Sequence, residues 1–402
     1  MGNGEWVDSS AMKSEPLDCH VVTPPGVEAI TASECLALGL EVTGTEPGGV
    51  AVRTDRRGLF LANLHLRTGS RILVRVGEFH AATFYQLEDR LAALPWSRVL
   101  PKGVPVSLRV SSRTSRLYHQ RGIAERAGRV LVSADSGWTV VPGSEECESQ
   151  LVLLRLAHDR CQVRVDASGA HLHRRGYRVE GGEAPVRETI AAALLLAAGW
   201  NGSSALLDPM AGSGTFPIEA ALIARRIPPG LNRSFACEQW PEHDSAMAAR
   251  VREQAQTGIL PRGPAPIVAG DRSASALVAA ERNAVRAGVA EDITWRRADL
   301  REWRGASGPA SGSLIVSNPP YGVRVGRPEA LRGVYSEIGE IARRACPEAP
   351  RLALLTPETA TAVSKVSGVA LQSAFLTSNG GIRVRGLVSE SSPRRKPGSI
   401  PS

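Results

Sequence analysis

Aromatic residues are scarce in this chain: seven Trp, five Tyr and six Phe make up 4% of its 402 residues. A core must therefore rest mainly on Ala, Leu, Val and Ile, within a hydrophobic share of 43% that is ordinary for a globular protein. Long apolar runs are missing too. The longest candidate, Ile190 to Ala198, is about half of the ~20 residues a membrane span needs. The polar N-terminus, with Glu5 and Asp8, does not resemble a secretory signal. Cysteine is sparse and scattered: Cys19, Cys35, Cys147, Cys161, Cys237 and Cys346 form no Cys-x-x-Cys pair and have no histidine cluster at metal-ligand spacing. The spacing reads as reduced thiols, so no metal and a cytoplasmic location are expected.

What is present is basic. Lys plus Arg number 48 against 40 Asp plus Glu, a formal net charge of +8, and the isoelectric point is about 9.5. This balance fits a polyanionic partner without identifying one. The length accommodates two or three domains. Residues 1–15 are polar and unpatterned, and residues 389–402 carry Ser, Pro, Arg and Lys with little to bury, so both ends are expected to be disordered tails.

Between the tails the pattern changes once. From His20 to Val165 short strands mix with helices: strands at His20–Thr23, Arg71–Val76, Val104–Val110 and Cys161–Asp166, helices at Val27–Leu38, Leu59–Leu66, Ala81–Leu94 and Ile123–Val132. His171 to Arg178 is a dense basic stretch, followed by Gly181, Gly182 and Pro185, and marks a domain junction. From Pro185 onward strands at 204–207, 265–269, 293–297, 313–316 and 351–355 alternate with helices at 188–198, 217–224, 274–287 and 331–345. That alternation predicts a mostly parallel, doubly wound sheet with ligands at the carboxyl ends of its strands.

Four segments of this second half carry chemistry. Leu207-Asp208-Pro209-Met210-Ala211-Gly212-Ser213-Gly214-Thr215-Phe216 leaves a strand and enters a helix. Gly212 and Gly214 permit a sharp turn and a close ligand, the helix start favours a carboxylate, and Asp208 can face an ammonium or sulfonium group. These properties suit the methionine part of S-adenosylmethionine, whereas no Gly-Lys-Ser/Thr follows to make a phosphate loop. Asp271, after the second strand, is placed either to bind ribose hydroxyls or to cap the next helix. It lies 59 residues past Gly212 (271 − 212) because residues 228–263 form an insertion. Asp299, beside Leu300, is placed to meet an adenine or to remain a solvated loop carboxylate. Finally, Ser317-Asn318-Pro319-Pro320-Tyr321-Gly322 follows an apolar strand. Its prolines fix an extended backbone and remove two N–H donors. An NH2 group on a base needs acceptors for its hydrogens, which the Asn318 side chain and a proline carbonyl supply, and Tyr321 offers a stacking face. The stretch containing Arg174, Arg175, Tyr177 and Arg178, like the N-terminal arginines Arg113 and Arg116, is either a solvated surface or a phosphate contact.

With these residues assembled, the chain resembles the THUMP-domain RNA methyltransferases: the bacterial large-subunit rRNA guanine-N2 methyltransferases and their tRNA-modifying relatives. The likeness spans about residues 20–388 and is most specific at 172–178, 183–189, 208–215 and 317–322, with Asn379-Gly380 as a further match. Ala211 stands where the family often has Cys, and Phe216-Pro217 where it has an aliphatic pair. The resemblance implies an α/β chain: a ferredoxin-like part (16–70), a THUMP RNA-binding part (71–168), a basic linker (169–184) and a Rossmann-like methyltransferase domain (185–388). It implies that Asp208, Met210, Gly212, Gly214, Thr215, Asp271, Asp299, Leu300 and Asn318 hold S-adenosylmethionine. By the same likeness Asn318, Pro319, Pro320 and Tyr321 hold the target base; the basic pattern makes Arg113, Arg116, Arg174, Arg175, Tyr177 and Arg178 the residues expected to touch RNA. The expected activity is methylation of a guanine N2 in 23S rRNA by a monomer. A tRNA target, adenine-N6 methylation of RNA or DNA, and a non-enzymatic RNA-binding assembly factor are the alternatives.

Overall fold

The computed structural model describes residues 16–135, 137–141, 149–179, 186–304, 310–321, 328–360 and 362–390. The N-terminal half runs β1 (Leu17–Val22), α1 (Glu28–Ala37), β2 (Glu41–Glu46), β3 (Gly49–Thr54), α2 (Arg56–His65), β4 (Arg71–His80), α3 (Phe84–Ala92), β5 (Val106–Arg113), α4 (Gln120–Ala134), β6 (Val140–Val141), β7 (Gln150–Ala157) and β8 (Arg160–Asp166). Local chemistry starts the helices. The Asp55 carboxylate accepts the Gly58 N–H at 2.7 Å and caps α2. Thr83 and Gln86 form a reciprocal capping box on α3. All eight strands join one sheet in the order β2-β3-β1-β4-β8-β7-β5-β6. The boundary expected at residue 70 thus divides two stretches that share one sheet, and one apolar core runs from Val21 to Val165 beneath it.

The C-terminal half runs α5 (Glu188–Ala197), β9 (Leu206–Asp208), α6 (Thr215–Ala224), α7 (Ser245–Thr257), β10 (Ile267–Asp271), α8 (Ala274–Arg286), β11 (Ile293–Arg297), β12 (Leu314–Ser317), α9 (Pro328–Ala345), β13 (Leu352–Pro357), α10 (Val363–Ser367), β14 (Leu371–Asn379) and β15 (Ile382–Ser389). Its sheet is ordered β11-β10-β9-β12-β13-β15-β14. The first five strands are parallel and the last two antiparallel. This is the doubly wound, Rossmann-like arrangement expected, with an antiparallel hairpin added at one edge. The order reverses around β9, and that reversal opens a crevice at its carboxyl end.

The two halves interlock. The insertion at 228–263 carries α7, and it packs on the N-terminal core, not on its own sheet. Phe235, Trp240, Ala248 and Val251 belong to that core. The Phe60 and Phe235 rings meet edge to face at 5.7 Å, and the Arg252 guanidinium lies 5.1 Å over Phe60. Backbone bonds stitch the join: Gly230 N–H to Leu64 O at 2.9 Å and Cys237 N–H to Ala167 O at 3.0 Å. In return, Val27 of the first half is buried in the core of the second beside Phe375. Gly26 presses so closely on β14 that an added Cβ would sit 2.2 Å from Leu376 O. No helix among the described residues is long and apolar enough to cross a membrane.

Candidate active site

β9 carries Asp208 to the centre of the sheet, between β10 and β12. The turn that follows is fixed by its own backbone. Ala211 N–H donates to Gly270 O at 2.8 Å and Gly214 N–H to Ala211 O at 2.8 Å. The two glycines serve different ends. Gly212 has φ +53°, and space beside its Cα is open, so a ligand can lie against it. Gly214 has φ +86°, and a Cβ there would lie 2.9 Å from Ala280 Cβ and 3.1 Å from the Trp295 ring. It is required for close packing of α6 on α8 and β11. Asn283 of α8 donates to Ser213 O at 3.1 Å and anchors the turn from behind. The sequence offered no sign of this residue beyond a polar position in an apolar helix.

Three carboxylates were expected here, and they stand in three environments. Asp208 is 1% exposed. Its Oδ1 accepts the Met210 N–H at 3.1 Å, while its buried Oδ2 has no protein donor. Burial, then the negative charge of Asp271, pushes its carboxyl up to about 8, against the opposing pull of the Met210 N–H. Asp271 Oδ2 accepts the Gly212 N–H at 3.0 Å and its Oδ1 the Ser273 N–H at 2.9 Å. Each oxygen keeps a lone pair for a hydroxyl. Asp299 is exposed, and its Oδ1 accepts the Arg301 N–H at 3.2 Å, so it caps the turn after β11. Leu300 packs into the core beside Trp303 and not onto an open face.

β12 lies next to β9 in parallel register, with Ile315 opposite Leu207, so Ser317 and Asn318 emerge beside Asp208. Asn318 Oδ1 is buried without a donor. Pro319 is buried and Pro320 half-buried. The Tyr321 hydroxyl is buried, and its pKa is raised above the usual range by that burial, with Asn379 acting in the opposite sense. Gly322, the rest of that expected segment, and residues 180–185 lie outside the described residues. Met210 is half-buried at the crevice floor, packed on the core that includes Leu207 and Ile315.

Three of the four linker residues expected to touch RNA turn into the protein. Glu219, one turn into α6, is buried without exposure, and the linker answers its charge. The Arg175 guanidinium lies 3.5 Å from Glu219 Oε1 and donates to Leu172 O at 2.6 Å, and the Tyr177 hydroxyl donates to the same Glu219 oxygen at 3.0 Å. Arg178 donates to Thr215 Oγ1 at 2.8 Å and to Val186 O at 2.6 Å, and pairs with Glu188 at 3.3 Å. Arg175, Tyr177 and Arg178 are thereby spent on the protein, and so is the Thr215 hydroxyl. Of the four linker residues only Arg174 is exposed, as are Arg113 and Arg116 in the N-terminal half. The described residues contain no group of three or more His, Cys, Asp or Glu able to hold a metal.

The residues present fit S-adenosylmethionine on two counts. Asp208 Oδ2 is a buried acceptor awaiting a donor, and the open side of Gly212 gives the ligand room. Comparison with known proteins follows the same line. A family profile described as RMKL-like, methyltransferase domain, matches residues 175–380, and one described as the RlmL ferredoxin-like domain matches residues 18–73. The chain is 33% identical over 324 residues to YpsC of Bacillus subtilis, whose name proposes an RNA methyltransferase; the match covers 79% of this chain and 82% of that protein. It is 35% identical over 340 residues to the ribosomal RNA large subunit methyltransferase K/L of Syntrophotalea carbinolica, covering 81% of this chain and 47% of that enzyme. The chain thus spans about half the length of the K/L enzyme. The crystal structure of SMU.472 complexed with SAH matches at 30% identity and TM-score 0.81, over 95% of this chain and 99% of that one.

Proposed function

The chain belongs to the RMKL-like methyltransferase family, and from that premise we propose that it methylates the exocyclic N2 of a guanine in large-subunit rRNA. S-adenosylmethionine is the methyl donor and supplies an electrophilic methyl group. The observation that carries the reading is the pair of donor-less buried oxygens, Asp208 Oδ2 and Asn318 Oδ1, at the ends of adjacent strands.

The work of the protein is alignment. Asp208 receives a cationic group of the donor, Gly212 leaves room for it, and Asp271 offers lone pairs to ribose hydroxyls. Asn318 Oδ1 accepts an N–H of the target amine and turns the nitrogen lone pair toward the methyl. Pro319 and Pro320 hold that amide on a stiff backbone, and Tyr321 provides a ring face for the base. No strong base is needed, because alignment and proximity lower much of the barrier. The target guanine must be unpaired or flipped out to enter. Residues 16–168 act as the RNA-capturing half, ferredoxin-like then THUMP-like. The ribosomal RNA target rests on the K/L relatives.

Nucleoside mass spectrometry of rRNA and tRNA from a strain lacking the gene tests this. Loss of N2-methylguanosine from large-subunit rRNA, restored by the wild-type chain, is the expected result. Loss from tRNA, or loss of N6-methyladenosine, would overturn the assigned substrate.

A further inference from the structure

Of the five tyrosines, Tyr177 and Tyr335 are buried and Tyr321 lines the candidate site. The other two, Tyr85 and Tyr118, are 78% and 67% exposed and are the only aromatics among the exposed large hydrophobic residues described. They share one end of the N-terminal half. Tyr85 is the second residue of α3, and Tyr118 lies just before α4. The two helices run side by side in the same direction. An added Cβ on Gly122 would lie 3.6 Å from the Phe84 ring, and Arg126, one turn further along α4, donates to Glu88, one turn further along α3, at 2.9 Å.

The loops at this end are built to hold a shape. Thr114, His158 and Asp159 have φ of 50°, 51° and 60°, three of the four non-glycine residues described in the left-handed region. In His158 and Asp159 this is the geometry of a tight two-residue hairpin turn, closed by the Ala157 and Arg160 pair of β7 and β8. Asp159 ties the turn to the neighbouring loop, accepting the Arg116 N–H at 2.7 Å while its own N–H donates to Ser115 Oγ at 3.0 Å. The Tyr118 ring lies against His119 with centroids 4.1 Å apart. Around the rings are guanidinium groups: Arg113 is exposed, the Arg116 side chain is 79% exposed and 3.8 Å from Asp159, and the Arg121 side chain is 94% exposed and 3.0 Å from Glu125, surface pairs that hold the side chains only weakly.

We propose that this end is a stacking platform for unpaired RNA nucleotides, with base faces on Tyr85 and Tyr118 and the flanking phosphates against Arg113, Arg116 and Arg121. The proposal rests on the reading that the chain acts on RNA. Two features select a single strand. Ring faces bind splayed-out bases, which a paired helix does not offer. The rings also stand apart among polar and cationic side chains, without the contiguous apolar surface a protein partner would bury.

Fluorescence anisotropy with the full chain tests it, using a labelled oligouridylate and an RNA duplex of equal length. The single strand binds the wild type more tightly than the duplex. Tyr85→Ala and Tyr118→Ala each weaken single-strand binding by roughly five- to a hundredfold, the loss of one stacked base, while Tyr85→Phe and Tyr118→Phe bind as wild type. Arg116→Gln lowers the slope of log affinity against log salt by about 1. Because both tyrosines are exposed, the variants keep the wild-type melting temperature. Wild-type RNA binding that survives Tyr85→Ala/Tyr118→Ala, or that favours duplex, overturns the platform and leaves the RNA methyltransferase reading standing. A wild type that binds neither probe also overturns the platform, while the methyltransferase reading stands or falls on nucleoside analysis of rRNA.

Discussion

Asp208 Oδ2 and Asn318 Oδ1 are each buried without a donor in the protein, an arrangement that costs ~1–3 kcal/mol per group until a ligand donates there. Asp208 also carries a testable charge. With its carboxyl near 8 against an ordinary 3.8, the folded protein keeps a proton that the unfolded chain releases. The contribution of Asp208 to the stability of the free protein therefore falls as pH rises between about 4 and about 8. A cationic ligand group opposite the carboxylate favours the ionised form, so binding below about pH 8 expels a proton. Calorimetric titration with S-adenosylhomocysteine, whose ammonium group remains, should show affinity rising from about pH 6 to about pH 8 with proton release, and Asp208→Asn should flatten the curve. A flat curve for the wild type would contradict the placement of Asp208.

At the scale of elements, α6 ties the site to the rest of the molecule. Its first turn carries Thr215, held by Arg178, and its second carries Glu219, held by Arg175 and Tyr177. Arg67 of the N-terminal half closes the far end, donating to Ile227 O at 2.8 Å. Glu219→Ala would leave the buried Arg175 guanidinium without its carboxylate and should destabilise the protein by about 3–5 kcal/mol; an unchanged urea midpoint would refute this. The basic linker shows where sequence reading stopped. Arg-Arg-Gly-Tyr-Arg looks like a surface for phosphate because its partner, Glu219, is 44 residues away from Arg175 in sequence and gives no local signal. α8 was legible from its periodicity and its Ser273 cap, α5 from its unbroken apolar run and α1 from the Pro-Pro-Gly turn before it, and so were the parallel strands that lead to Asp208, Asp271 and Asn318. The hairpin of β2 and β3 was not, because β2 is almost wholly exposed and lacks alternation. β7, Gln-Leu-Val-Leu-Leu-Arg-Leu-Ala, is too evenly apolar to separate strand from helix. β14 and β15 gain their order from pairing with β13 rather than from their own pattern. The four site residues Asp208, Gly212, Asp271 and Asn318 could be placed together because each ends a parallel strand or starts the turn after it, a position that topology alone brings to one crevice.

The whole molecule behaves as one body because each half completes the core of the other. Trp240, from the insertion in the second half, is buried in the first and donates its Nε1–H to Gln150 Oε1 at 2.8 Å. Trp240→Ala should cost about 3–5 kcal/mol and lower a single calorimetric transition shared by both halves; two separate transitions, with only one shifted, would contradict the interlock. This interlock joins the exposed tyrosine end of the N-terminal half to the crevice at β9 through shared cores, so the proposed RNA capture and methyl transfer would share one frame. The most direct test of the account is transfer of an isotopically labelled methyl group from S-adenosylmethionine to unmodified large-subunit rRNA by the purified chain, followed by nucleoside analysis. The wild type should place the label in N2-methylguanosine. Asn318→Ala should lose transfer by about a hundredfold or more while still binding S-adenosylhomocysteine. Label retained by Asn318→Ala, or found in another nucleoside, would contradict it.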